Sequence, residues 1–258
     1  INRYENVFKE KLAGFTGGDS GGIDPAVLES IAKAVEEVNE LSEDRMHSSF
    51  QLIRNSINTL RYETVNETLK GILTAVPSIA KQLDKETPEV VIKDNFVRLK
   101  KDIVPMLRNV FMHVFRNSMD HGLESTAQRI AKEKSEKGRI ELDVTLDQDQ
   151  VVFAFRDDGK GLALDHIHSK AVANGVVPAE QKLTDDEVAE LIFLSGLSTA
   201  AEVTNVSGRG VGMDAIRKFL NKYQGDVQVE FTGDSVTKGF RPFQLNITLP
   251  AKFAVQQS

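Results

Sequence analysis

The spacing of apolar residues changes near residue 88, and this change divides the chain into two regions that must fold differently. From Asp24 to about Asp84, apolar residues recur at steps of three and four, as they do along one face of an α-helix. Asp24 and Pro25 suit the cap and the first position of such a helix. Beyond residue 88, short apolar runs alternate with helical stretches. The sequence therefore predicts a helical region followed by an α+β region.

Three segments follow from this pattern. Residues 1–24 contain a short helical stretch and a glycine- and serine-rich stretch that is typical of a linker. Residues 25–87 are predicted to form an antiparallel helix pair with a bend near residues 41–44. Each helix of a pair needs a partner for its apolar stripe, so we expect two copies to form a four-helix bundle. Packing of the pair on residues 88–258 is the alternative.

The third segment, residues 88–258, carries the signals of a mixed sheet with a helix layer. Its strands are mostly neighbours in sequence and its helices cluster separately, which favours an α+β domain with a mainly antiparallel sheet. The predicted strands are residues 90–92, 140–146, 151–156, 227–231 and 243–249. The predicted helices are residues 102–121, 163–174, 185–194 and 212–223.

Composition narrows the possible functions. The 258 residues carry a net charge of −6, which argues against a nucleic-acid surface, because such a surface shows a basic stripe. There is no cysteine, so disulfides and zinc–thiolate sites are excluded and a reducing compartment is favoured. No apolar run is long enough to span a membrane and no signal peptide opens the chain. We therefore expect a cytoplasmic protein, and the initial Ile1 indicates a piece of a longer one.

A first cluster of polar residues ends the helix predicted at residues 102–121. His113 and Asn117 are four residues apart, so both side chains project from one helix face. The Asn117 carbonyl oxygen is a ligand that Mg²⁺ accepts, and His113 can orient or deprotonate a group beside that ion. A capped helix end, whose polar groups are hydrogen-bonded within the protein and bind no ligand, explains the pair of His113 and Asn117 equally well.

A second cluster follows the strand predicted at residues 151–156. Asp157 can accept a hydrogen bond from the exocyclic amine of adenine, and Gly159 and Gly161 allow a ligand to approach the backbone closely. An ordinary Asp-Gly turn is the alternative.

Two further clusters bracket a polar stretch. Residues 193–199 read Phe-Leu-Ser-Gly-Leu-Ser-Thr, and residues 207–214 read Ser-Gly-Arg-Gly-Val-Gly-Met-Asp and open a helix. Alternating glycines before a helix N-terminus can present backbone N–H groups to phosphates, although a flexible loop is also possible. The spacing is not that of a dinucleotide-binding fingerprint, and no P-loop motif is present.

Taken together, the four clusters resemble the ATP-binding domain of the GHKL superfamily, which includes histidine kinases, MutL and gyrase. Within this superfamily, the sequence motifs are most similar to those of the chemotaxis histidine kinases of the CheA type. Residues 116–124 resemble the N box, residues 157–161 the first glycine box, residues 193–199 the phenylalanine box and residues 207–214 the second glycine box. The resemblance covers residues 88–250 and implies a Bergerat-type ATP-binding α/β sandwich, preceded by a helical dimerisation hairpin.

The resemblance implies specific roles for the N box and the first glycine box. Asn117 is expected to bind Mg²⁺, and His113 stands where sensor kinases carry a glutamate. Asp120 and His121 are expected to line the nucleotide near the ribose and phosphates. Asp157 is expected to bond the adenine amine. His113 and Asn117 are therefore the candidate catalytic residues, and ATP and Mg²⁺ the expected cofactors.

Further cofactor-binding residues follow from the same resemblance. Gly159 and Gly161 are expected to shape the adenine wall, and Lys170 to contact phosphate. The phenylalanine box and the lid over the triphosphate supply the others: Ser198, Thr199, Gly208, Arg209, Gly210, Val211 and Gly212.

The sequence also departs from the family. His166 replaces a second phosphate-contacting lysine, and residues 241–243 read Arg-Pro-Phe where the family has a Gly-Thr pair near adenine. His47 lies on the helical region but lacks the Glu and Pro that follow an acceptor histidine, so we interpret it as structural.

The resemblance implies a histidine kinase of two-component signalling that transfers the γ-phosphoryl group of Mg-ATP to a histidine on a separate phosphotransfer domain. A response regulator and a second copy of the chain are the other expected partners. The alternatives are a GHKL ATPase and a nucleotide-binding scaffold without kinase turnover.

Overall fold

The computed structural model describes residues 29–33, 43–195, 212–233 and 239–256, and it divides the chain into two units after Glu63. In the first unit, residues 29–33 are helical and α1 spans Glu43–Arg61. The hydroxyl oxygens of Ser30 and Ser56 lie 3.4 Å apart. The short strand β1, Tyr62–Thr64, leads from the first unit into the second.

The second unit contains the sheet and the helices that pack on it. Its remaining strands are β2 Glu89–Lys93, β3 Val97–Lys100, β4 Arg139–Leu146, β5 Gln150–Asp157, β6 Leu162–Ala163, β7 Asp226–Phe231, β8 Phe240–Arg241, β9 Phe243–Pro250 and β10 Ala254–Gln256. Its α-helices are α2 Val65–Gln82, α3 Val104–Asn117, α4 Thr126–Ile130, α5 Leu164–Ala173, α6 Asp185–Glu190 and α7 Met213–Asn221. A π-helical turn, Ser118–Gly122, extends α3, and 3₁₀ turns occupy Lys101–Ile103, Leu191–Phe193 and Ala251–Phe253.

Five strands form one mixed sheet in the order β2-β4-β5-β9-β7. The β2–β4 pair is parallel, and the other pairs are antiparallel. Alternate residues of β4 and β5 are buried because successive side chains of a strand point to opposite faces. Helices α2, α3 and α7 contribute their apolar faces to the same core. The predicted α+β fold, a mixed sheet with a helix layer, is confirmed.

Helix α2 belongs to the core of this α+β unit. Thr64 caps it in a capping box with Glu67, and its residues Val65, Leu69 and Ile72 are buried. The helix pair that the sequence predicts over residues 25–87, with a bend near residues 41–44, stays a prediction, because residues 34–42 lie outside the described residues. The chain is extended at Tyr62–Thr64, between α1 and α2, and the two units divide after Glu63. Apolar residues recur at helical spacing on both sides of this break, so the spacing indicates the two helices but not the extended residues between them.

Smaller elements complete the second unit. β3 pairs with β10, and β6 pairs with β8, both antiparallel. Helices α5 and α6 share a separate apolar cluster that includes Leu164, Ile167 and Val188. In the described parts of the chain, no helix combines the length and the apolar character needed to cross a membrane.

Candidate functional site

Two aromatic pairs set the register between helix α3 and strand β5. Phe111 meets Phe153 edge-on with ring centroids 5.5 Å apart, and Phe115 meets Phe155 in the same way at 5.1 Å. Four residues of a helix and two residues of a strand each advance by roughly 6 Å, so both pairs fit at once. This register brings the residues that follow Phe115 to the residues that follow Phe155.

Asp157, at the end of β5, is the residue on which the two elements meet. The Ser118 hydroxyl donates to its Oδ2 at 2.7 Å, and the Gly159 N–H donates to its Oδ1 at 2.9 Å. Burial raises the pKa of Asp157 above the usual range, although both hydrogen bonds favour the ionised form. Each carboxylate oxygen has more than one lone pair, so Asp157 can accept a further hydrogen bond from a ligand.

The glycines around Asp157 stand where no side chain fits. A Cβ on Gly159 would lie 2.3 Å from the Gly122 carbonyl oxygen, and a Cβ on Gly122 would lie 2.8 Å from Asp157 Oδ2. The Lys160 N–H donates to the same Gly122 oxygen at 3.0 Å. The N-box turn and the first glycine box are therefore in direct main-chain contact.

Asp120 and His121 lie on the π-helical turn Ser118–Gly122, the part of the N box that contacts the first glycine box. Both side chains are about half exposed, and His121 Nε2 lies 3.7 Å from Asp120 Oδ2. π-Helical turns inside helices occur frequently at functional sites. The turn contacts the first glycine box through Gly122, and the exposure of both side chains leaves them accessible to a ligand.

Asn117 lies at the last position of α3, next to the start of α7. Its Nδ2 donates to the Met213 sulfur at 3.3 Å, so the N box also contacts the end of the second glycine box. His113, one turn earlier, is partly buried. Burial, together with the charge of Arg116, lowers the pKa of His113, which favours the neutral imidazole near pH 7.

The residues on either side of segment 196–211 are held by polar contacts. Ser195 donates to Asp214 at 2.8 Å, and Lys218 lies 3.0 Å from the same Asp214 oxygen. The hydrogen bond from Lys218 is the main cause that lowers the pKa of Asp214. The Arg217 guanidinium stacks 3.9 Å over the ring of Phe193, which fixes the phenylalanine box against α7.

Several expected cofactor-binding residues fall in segment 196–211, outside the described residues: Ser198, Thr199, Gly208, Arg209, Gly210 and Val211. Gly212 is described, and it is the N-cap residue of α7. Lys170 lies in the last turn of α5, and His166 is exposed on the same helix. His47 lies within α1.

Residues 241–243 stand in place of the family's Gly-Thr pair, and the main chain of Arg241 contacts the first glycine box. Gly161 has a positive φ of 85°, and a Cβ there would lie 2.5 Å from the Arg241 carbonyl oxygen. The Arg241 guanidinium points elsewhere, to Asp185 at 2.8 Å and over the ring of Phe231 at 4.2 Å. Arg241 thus links the glycine box to the first turn of α6.

Behind the first glycine box lies an ionic network that the sequence did not suggest. Arg129 is 1% exposed, donates to both carboxylate oxygens of Asp158 and lies 3.4 Å from Glu124. Burial opposes ionisation of Glu124, but hydrogen bonds from Lys132 and Lys134 outweigh it and hold its pKa below the usual range. Charged residues near short helices usually lie on the surface, so only the fold reveals this network.

Lys85 is a second residue that sequence reasoning missed. Its ammonium donates to the carbonyl oxygens of Met119, Asp120 and Leu123 at 2.7, 2.8 and 2.8 Å. No motif marks this position, because all three acceptors belong to the main chain.

Several known proteins are similar in sequence to this chain. The sequence model of the family described as histidine kinase-, DNA gyrase B- and HSP90-like ATPase matches residues 102–252. Chemotaxis protein CheA of Halobacterium salinarum is 35% identical over 230 residues, which are 88% of this chain and 32% of that protein. CheA of Listeria monocytogenes is 30% identical over 262 residues, 100% of this chain and 40% of that protein. CheA of Bacillus subtilis is 32% identical over 212 residues, 81% of this chain and 31% of that protein.

The family match covers more than half of the chain, and it coincides with the sheet, the N-box turn and the glycine boxes. The chain therefore belongs to the histidine kinase-, DNA gyrase B- and HSP90-like ATPase family. Within this family it is a CheA-like catalytic domain that uses ATP, and the predicted resemblance is confirmed. The chain spans only about a third of the length of the relatives named above.

We expect the Gly159→Ala variant to lose at least about tenfold in ATP affinity, or ~1.4 kcal/mol. The added Cβ would lie 2.3 Å from the Gly122 carbonyl oxygen, so the two main-chain segments must separate. Titration calorimetry on folded protein measures the change. Gly233→Ala is the matched control, because a Cβ there has no neighbour within 4 Å. Equal affinities for wild type and Gly159→Ala would contradict the close packing of the two boxes as a requirement for binding.

Proposed function

We propose that this chain is the ATP-binding catalytic part of a two-component histidine kinase, which transfers the γ-phosphoryl group of Mg-ATP to a histidine on a separate phosphotransfer domain. The observation that carries the proposal is the junction at Asp157, where Ser118 of the N box and Gly159 of the glycine box bond one carboxylate. The family match and the CheA relatives support the kinase assignment over the same residues.

Adenine recognition is assigned to Asp157. The exocyclic amine of adenine donates hydrogen bonds, and a carboxylate is an acceptor that forms stronger bonds than a neutral group does. A side chain at Gly159 or Gly161 would clash with the carbonyl oxygen of Gly122 or Arg241, so these glycines let the main chain beside Asp157 pack closely and form the adenine wall. Asp120 and His121, on the adjoining turn, are assigned to the ribose and phosphate side.

Asn117 is assigned to Mg²⁺. Its Nδ2 faces the Met213 sulfur, so Oδ1 is the atom of this side chain that can bind a hard cation, and amide oxygens are suitable ligands. When bound, Mg²⁺ would neutralise charge on the phosphates. Lys170 and the main chain before α7, with Gly212 as its N-cap, are assigned to the phosphates.

In the reaction, a nitrogen of the acceptor imidazole bonds to the γ-phosphorus while the bond from that phosphorus to the bridging oxygen of ADP breaks. The acceptor imidazole loses a proton, and neutral His113 is the group near Asn117 that can accept or orient it. Phosphoryl transfer passes through a loose transition state, so the chain contributes position and charge rather than covalent chemistry.

The helical first unit is proposed to form a homodimer. Phe50, Leu52 and Ile57 on α1 are 56%, 49% and 41% exposed, and three large apolar side chains on one helix favour burial against another surface. A second copy of the chain and a response regulator that receives the phosphoryl group complete the proposed partners. A solution mass of one chain at micromolar concentration would count against the dimer.

Radiolabelled ATP tests the kinase proposal. We expect wild-type protein to give acid-labile phosphoprotein when candidate phosphotransfer domains are added, and Asn117→Ala to lose this transfer while remaining folded. Asn66→Ala, an exposed residue of α2, is the matched control and should transfer normally. ATP binding without any phosphoprotein would favour the scaffold alternative, and ATP hydrolysis without phosphoprotein would favour the ATPase alternative.

A further inference from the structure

Lys85 forms a cap on the C-terminal end of the N-box helix, although it comes from a distant part of the chain. It follows α2 by three residues and precedes the first accepting carbonyl by 34 residues. An ammonium has three N–H donors, and Lys85 directs hydrogen bonds to three carbonyl oxygens, those of Met119, Asp120 and Leu123. The last carbonyls of a helix lack intrahelical partners and carry partial negative charge, so a cation there is favourable.

This contact has a cost that its hydrogen bonds must offset. Burial lowers the pKa of Lys85 below the usual range, and the negative charges of Asp120, Glu124 and Asp157 act in the opposite direction. A lysine in this position without a structural role would extend into water, where its charge is fully solvated. The geometry therefore indicates that these hydrogen bonds fix the ammonium and the three carbonyl oxygens relative to one another.

Of the residues whose carbonyls Lys85 binds, Met119 and Asp120 lie on the turn Ser118–Gly122, which forms one side of the proposed nucleotide site, and Leu123 directly follows that turn. Gly122 on this turn accepts from Lys160 N–H and lies against Gly159. A second contact ties α2 to the N-box helix, because Arg108 of α3 donates to the Thr68 carbonyl oxygen of α2 at 3.0 Å. The segment from α2 to Lys85 thus contacts α3 near its start and also contacts the π-helical turn that follows α3.

We propose that Lys85 is a positioning residue for ATP, which fixes the π-helical turn Ser118–Gly122 against the Asp157 turn by holding three main-chain oxygens. The inference rests on the proposed nucleotide site, and it adds a residue outside the four sequence boxes. Lys85 does not touch the nucleotide in this account. It acts through the position of Asp120, His121 and Gly122.

The test compares ATP affinity for Lys85→Met and Lys85→Arg by titration calorimetry, at a temperature where circular dichroism shows folded protein. Met is unbranched, one heavy atom shorter than Lys, and has no donor, so we expect at least about a tenfold loss of affinity. Arg keeps charge and donors and should retain most of the affinity. Lys81→Met, an exposed lysine at the end of α2, is the control and should bind as wild type does.

A second readout separates positioning from general stability. The amide resonances of Gly122 and Gly159 should shift in Lys85→Met and stay close to wild type in Lys85→Arg. If Lys85→Met does not fold, Lys85→Leu, which also lacks a donor, takes its place with the same expectation. Wild-type affinity in the donor-deficient variant, or an equal loss in Lys85→Arg, would overturn the inference. Absence of ATP binding by the wild-type protein would instead overturn the proposed function.

Discussion

Replacement of Asp157 by Asn is expected to lower ATP affinity by roughly 10- to 100-fold, because a charged acceptor for the adenine amine is lost. A hydrogen bond to a charged group contributes about 1.5–3 kcal/mol, and each 1.4 kcal/mol corresponds to a factor of ten in affinity. Asn keeps the shape of the side chain and can still accept from Gly159 N–H through its oxygen. The change should therefore reach the ligand more than the fold, and titration calorimetry measures it.

Asp147→Asn is the matched control for this variant. Asp147 also accepts from backbone N–H groups in a turn, those of Asp149 and Gln150, but it lies at the opposite end of β5. We expect unchanged ATP affinity for this control. Equal affinities for Asp157→Asn and the wild type would remove Asp157 from the site.

Replacement of Arg129 by Met is expected to lower the free energy of unfolding by about 3–5 kcal/mol, since it removes one partner of a buried ionic network. Glu124 is 7% exposed and would lose one of its cationic partners, and the Ser135 carbonyl would lose a donor at 2.6 Å. Asp158 would lose two donors. Urea denaturation followed by circular dichroism measures the loss.

The control for Arg129 is an arginine in an exposed ion pair. Arg156 pairs with Glu141 on the outer face of the sheet, and its side chain is 51% exposed. Exposed pairs contribute less than about 1 kcal/mol, so Arg156→Met should change the unfolding midpoint little. Similar losses for the two variants would show that the Arg129 network does not stabilise the fold as its burial implies.

The regular elements of the second unit could be predicted from sequence because their spacing is unambiguous. Residues 140–146 alternate apolar and polar residues, residues 151–155 are a continuous apolar run, and the two segments form β4 and β5 in antiparallel register. The helix ending near the N box carries apolar residues at helical spacing, and it forms α3. These patterns are local, so one sequence suffices to detect them.

Other elements depend on contacts that no local pattern encodes. β10 has three residues and is defined by its pairing with β3, which lies about 155 positions earlier. β2 pairs in parallel with β4, and no turn signal in the sequence marks this pairing. The division of the chain after Glu63 falls within three extended residues, Tyr62–Thr64. The helices on both sides have apolar residues at helical spacing, so the spacing does not mark the division. Each of these features requires the assembled fold.

The candidate site shows the same limit. Sequence motifs indicated Asn117 and Asp157, and the structure brings their segments together through Ser118. Their roles toward Mg²⁺ and adenine stay predictions. No sequence motif indicates Lys85 or Arg129, because Lys85 binds only main-chain oxygens and Arg129 lies in a network of residues that are usually exposed.

The most direct test of the proposed site is an equilibrium titration of the wild-type chain with ATP and with GTP in the presence of Mg²⁺. Adenine offers an exocyclic amine as a donor, whereas guanine offers a carbonyl oxygen at the corresponding position, which cannot donate to the Asp157 carboxylate. We expect recognition of adenine by Asp157 to make ATP bind at least about tenfold more tightly than GTP. Equal affinity for the two nucleotides, or no binding of ATP, would contradict it.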